Sequence, residues 1–106
     1  MTYLYLDDGF ADHPKILAIS DAALRLHITA LCYANRHLTD GHVPPEVVGR
    51  RTRLAQTLVE HELWQPNGNG WTIHDYLDYQ KSAKKIREQR AAAAERKRRQ
   101  RRDVTP

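Results

Sequence analysis

All eight aromatic residues of this 106-residue chain lie before residue 80, and this confines any packed core to the first three quarters. The segment from Lys81 to Arg102 reads KSAKKIREQRAAAAERKRRQRR, with Ile86 as its only large apolar residue. A helix without an apolar stripe does not dock along its length. It can still be a helix. Ala91 to Ala94 favour that conformation, Ser82 can cap it, and Glu95 and Arg99 stand at the favourable four-residue spacing. The expected organisation is therefore a folded domain over residues 1–80 and a basic C-terminal helix or tail over residues 81–106. The last residues, Asp103 to Pro106, are expected to fray.

Charge divides at the same boundary. Residues 81–106 hold eleven Lys/Arg and three Asp/Glu, a net of +8. Residues 1–80 hold six and ten, a net of −4, which brings the whole chain to +4. A cationic segment on an anionic body points to a polyanionic partner, most often nucleic acid. The tail cations proposed for phosphate contact are Lys81, Lys84, Lys85, Arg87, Arg90, Arg96, Lys97, Arg98, Arg99, Arg101 and Arg102.

Several classes fall away. The single cysteine, Cys32, allows no intramolecular disulfide, which fits a reducing compartment. No apolar run approaches about 18 residues, so no membrane span or membrane partner is expected. The start, MTYLYLDDGF, lacks the basic and apolar regions of a signal peptide. The expected location is the cytoplasm. The six histidines show neither an i,i+4 pair nor a CxxC companion, so no metal site is expected. No clustered acid, base and nucleophile occurs, His74–Asp75 reads as a structural cap, and no phosphate-loop spacing is present. The chain reads as a non-enzyme without a cofactor.

Periodicity gives the element order. Tyr3–Leu6 alternates like a short strand, and Asp7 to Asp12 forms a polar turn at Gly9. Pro14 opens a short helix to Ala18. Ser20 or Asp21 caps a longer one, ending near His37, with Leu24, Ile28, Leu31 and Leu38 on its apolar stripe and His27 and Cys32 beside it. His42-Val43 is extended. A short helix runs from Pro45 to Arg50, and a turn at Arg51-Thr52 leads to a helix from Arg53 to Leu63. Two Asn-Gly pairs between Trp64 and His74 signal a hairpin. The two Trp flank it and stack across it or on the core. Asp75–Tyr79 packs Tyr76 and Leu77 onto the body.

The fold class expected is mainly α with a small β-hairpin: a winged helix-turn-helix followed by an extended basic helix. In such a unit the second helix of the pair enters the major groove. Here Arg53, Gln56, Thr57 and Glu60 would face outward, where Arg suits guanine and Gln suits adenine. Arg50, Arg51 and Thr52 would join Arg53 at the turn, and the Asn67–Gly70 hairpin would be the wing.

The phrases DDGFADHPKILAIS, LTDGHVP, LAQTLVEHELW and GWTIHDYLDYQKS resemble the N-terminal winged-helix region of phage replication-initiation or replisome-organiser proteins. Related small helix-turn-helix proteins of actinobacterial phages share the pattern. The resemblance spans residues 3–82 and implies DNA binding without catalysis, in a bacterial host cell. The family usually carries Gly before Leu-Trp, where a left-handed residue ends the recognition helix; this chain has Glu62. Double-stranded DNA is the partner expected first, with a homodimer as one way to lengthen the site. The alternatives are a module that binds and modulates a host protein, and RNA binding through the Arg-rich tail.

Overall fold

The computed structural model describes residues 3–79 and 83–104. Nine elements follow one another: α1 (Pro14–Leu17), α2 (Asp21–His37), β1 (His42–Val43), α3 (Pro45–Val48), α4 (Thr52–Glu60), β2 (Trp64–Asn67), β3 (Gly70–Ile73), α5 (Tyr76–Tyr79) and α6 (Ala83–Val104). A single 3-10 turn, Phe10–Asp12, precedes α1. The architecture is mainly helical, with a small three-stranded antiparallel sheet and a C-terminal helix.

Ser20 is the cap of α2: its hydroxyl accepts the Ala23 N–H at 3.2 Å. At the other end Leu38 takes φ +56 and the chain turns back. The buried face of α2 is Ala23, Leu26, His27, Ala30, Leu31, Ala34 and Asn35. This rotates the expected stripe, because Leu24, Ile28 and Leu38 are only half-buried. Three alanines at full burial let α4 come close, and Ala55 answers them from the other side. Leu26, Leu58, Val43, Val48 and Trp64 fill the space between helices and sheet.

Strand order is β1-β3-β2, with Val43 opposite Trp71 and Trp64 opposite Ile73. Gly70 is required here: a Cβ on it would lie 2.3 Å from the Val43 carbonyl oxygen. The hairpin loop is Gly68-Asn69, and Gly68 takes φ +61. A Gly in the first loop position with positive φ is what a type II′ connection uses, and it lies in the middle of the expected Asn67–Gly70 turn.

Other expectations change. Tyr3–Leu6 forms no strand; Leu4 leans on the core while Tyr3 and Tyr5 stay exposed, and no sheet edge pairs with them. α3 stops at Val48 rather than Arg50, because Gly49 turns away at φ +58. α4 starts at Thr52 and ends at Glu60, three residues short of Leu63. Leu77 is exposed, whereas Tyr76 is buried. α6 is helical to Val104, beyond the expected fraying point at Asp103. The Ser82 cap lies outside the described residues.

α6 carries 22 residues, about 33 Å of helix. Ile86 is buried, and the other side chains from Lys84 to Arg99 are all exposed. Ile86 is thus covered near the start of the helix, a burial not expected from the sequence. The radius of gyration is 17.5 Å and the extents are 62 × 31 × 19 Å. A compact chain of about 100 residues would have a radius near 13 Å.

Candidate nucleic-acid interface

The exposed face of α4 is built by exclusion. Ala55 and Leu58 are buried, and Leu54 and Val59 pack against the core. Positions three and four apart then leave Arg53, Gln56, Thr57 and Glu60 on the opposite side. Arg53, Gln56 and Glu60 are exposed and Thr57 is half-buried. The Thr57 hydroxyl donates to the Arg53 carbonyl at 3.1 Å, so it is partly committed to its own helix.

Arg51 is committed more fully. Its Nε donates to the Val48 carbonyl at 3.3 Å and its Nη2 to the Val47 carbonyl at 2.8 Å. These are carbonyls at the end of α3, and the Val48 carbonyl also accepts the Arg51 backbone N–H at 3.0 Å. Arg51 therefore closes α3. Arg50 and Arg53 are exposed, and no hydrogen bond or ion pair engages either guanidinium among the described residues. Thr52, expected in the turn, is the first helical residue. The N-terminal end of α4 thus joins a helix dipole's positive pole to two available arginines.

The end of α4 shows how the chain leaves the helix without glycine. Leu63 N–H donates to the Leu58 carbonyl at 2.9 Å, and Glu62 N–H to the Val59 carbonyl at 3.0 Å. That pair of bonds is a Schellman motif, with Glu62 in the left-handed position at φ +60. The helix terminates where a glycine would have terminated it, and β2 begins two residues on.

The β2–β3 hairpin carries no Lys or Arg: from His61 to Tyr79 the only formal charges are Glu62, Asp75 and Asp78. Its exposed groups are amides, with Asn67 Nδ2 donating to Thr72 Oγ1 at 2.9 Å. Cations gather instead on α6. Lys84, Lys85, Arg87, Arg90, Arg96, Lys97, Arg98 and Arg99 are all exposed. At about 100° per residue they surround the helix rather than share one side. Arg99 spends part of its charge on Glu95 at 3.2 Å. Lys81 lies outside the described residues, as do the side chains of Arg101 and Arg102. α4 packs on α2 and β2, and α6 is not among the elements that pack extensively on it among the described residues.

The sequence reading missed the polar heart of the domain. His27 is 4% exposed, and Trp64 Nε1 donates to its Nδ1 at 3.0 Å. Burial pushes its pKa down from 6.5 to about 4, so the ring is neutral near pH 7. Phe10 stacks on His27 at 6.1 Å between centroids and 10° between planes. The signal was present in the spacing: His27 lies four residues after Ala23 and three before Ala30, on the alanine face.

Among the described residues no three or more His, Cys, Asp or Glu come together to hold a metal. No helix among them is long and apolar enough to cross a membrane. No protein-family model, curated protein or solved structure matched the chain on comparison.

Proposed function

We propose that this chain is a winged helix-turn-helix protein that binds double-stranded DNA, a small phage or prophage factor acting in replication or transcription in the bacterial cytoplasm. α3 and α4 are the helix pair, α4 enters the major groove, and the β2–β3 hairpin is the wing. α6 supplies most of the affinity by lying against phosphates. The observation that carries this reading is the set of eight exposed Lys and Arg from Lys84 to Arg99 on one projecting helix. The body favours division of labour, since its own net charge of −4 repels phosphate. Phosphate contacts position a protein and base contacts give it sequence preference. Arg53 and Gln56 are the base-reading candidates, with Thr57 beside them.

Binding of random duplex, single-stranded DNA and RNA across a salt series tests this, with the full chain and with residues 83–106 removed. Neutralising about five phosphates gives a slope of log K against log salt of about −4.5. The truncated chain should lose most of the affinity and most of the slope. Unchanged affinity at physiological salt would sink the proposal, and preference for RNA would move it to a different polymer.

A second reading is favoured by a specific surface. Tyr3, Tyr5, Leu6 and Leu17 are 71%, 52%, 44% and 68% exposed. Exposed aromatic and aliphatic groups of this size suit a protein partner. In that reading the domain binds and modulates a host protein. A pull-down from nuclease-treated host lysate separates the two: retention of a specific protein supports the second, and loss of all binding supports the first.

A further inference from the structure

Beneath the N-terminal segment lies a half-open cavity of about 150 Å³. Its walls are mainly apolar, from Phe10, Ile16, Leu31, Leu63, Ile73 and Tyr76. The charged groups around it are already partnered. Lys15 Nζ is 3.8 Å from Glu62 Oε2, and His74 Nε2 is 3.2 Å from Asp75 Oδ2. Asp7 Oδ1 accepts the Gly9 N–H at 2.8 Å, and His13 Nδ1 accepts the Lys15 N–H at 3.2 Å.

His27 differs from the rest. It lines the cavity while being 4% exposed. Its Nδ1 accepts from Trp64, so the neutral ring carries its proton on Nε2. Among the described residues Nε2 has no hydrogen-bond partner, yet no sealed side-chain nitrogen or oxygen among them lacks one. Nε2 therefore opens onto the cavity. It is a donor whose direction is fixed by the Trp64 bond on one side of the ring and the Phe10 stack on its face. Binding pockets combine apolar walls with a few fixed polar groups in this way. An apolar cavity of about 150 Å³ takes a benzene-sized ring.

We propose that this cavity binds a small neutral molecule, with a body about one aromatic ring in size and one acceptor, such as a carbonyl oxygen, seated on the His27 Nε2–H. The proposal stands independently of nucleic-acid binding.

The test uses the full chain and two probes of one shape. Acetophenone has the carbonyl; α-methylstyrene has a methylene in its place. Each is titrated at pH 7 while NMR follows the His27 ring nitrogens and the Trp64 indole N–H. Acetophenone should shift both signals and bind about three- to tenfold tighter than α-methylstyrene, the range for one neutral hydrogen bond. Leu63→Phe should fill the cavity from its half-buried position and abolish binding. Absence of a His27 shift up to the solubility of acetophenone overturns the proposal. So do equal affinities for the two probes, since the donor then plays no part. Binding unchanged in a folded Leu63→Phe chain would place the probe elsewhere. If that variant does not fold, the comparison of probes on the natural chain decides alone.

Discussion

Glu62 sits at a backbone position that costs any residue with a Cβ about 1–2 kcal/mol. It is exposed, and its carboxylate lies 3.8 Å from Lys15 Nζ, a long ion pair. Glu62→Gly should raise stability by about 1 kcal/mol, read as a melting point about 4–8 °C higher for a domain of this size. An unchanged or lower melting point would mean that the Schellman turn is relaxed by other means. His27 gives a second residue-scale expectation. Its folded pKa of about 4 lies below the unfolded 6.5, so the unfolded chain binds the extra proton first. Stability is full above pH 6.5 and falls as the pH drops toward 4, by about 3 kcal/mol in all. Protonated Nδ1 would also point a hydrogen at the Trp64 N–H. His27→Gln keeps an acceptor for Trp64 without titrating. Urea midpoints of the two proteins between pH 7 and 4 should diverge in this window; parallel curves would assign the acid sensitivity to carboxylates.

At the scale of elements, what could be foreseen depended on how loudly each residue type speaks. Ser20, Pro14, Pro45 and the Asn-Gly pairs act through their own backbone chemistry, so α1, α2, α3 and the hairpin lie close to where the sequence puts them. Alanine carries little hydrophobic signal. The packing face of α2 is therefore expected on Leu24, Ile28, Leu31 and Leu38, of which only Leu31 is buried, beside Ala23, Leu26, Ala30 and Ala34. The role of Arg51 was hidden for a different reason: its partners are backbone carbonyls three and four residues earlier, and any sequence has those. The site was legible to the same degree. The outward face of α4 follows from helical spacing, whereas the His27–Trp64 bond joins residues 37 apart and has no local trace. Gly70 tests the sheet. Gly70→Ala would force its Cβ onto the Val43 carbonyl, 2.3 Å away. The expected loss is about 2–4 kcal/mol. Amide exchange at Ile73, whose N–H donates to the Gly41 carbonyl at 2.8 Å, should accelerate. Retained protection would show that β1 can slide aside at little cost.

The whole molecule is a buried-core domain and a projecting helix of opposite net charge. Every side chain of α6 from Arg87 to Arg99 is exposed. Removing residues 83–106 should leave the domain folded, since the core cluster draws no member from α6. The charge split has a consequence for the protein in the absence of nucleic acid. Each copy is strongly polar along its 62 Å length, so the helix of one molecule is attracted to the domain of the next. Such head-to-tail contact does not close on itself and has no fixed stoichiometry. It weakens once the Debye length falls to about 10 Å, near 0.1 M salt. Light scattering should therefore report growing, reversible clusters in dilute buffer and single chains at physiological salt. A polyanion added at low salt should dissolve the clusters by taking the helices for itself.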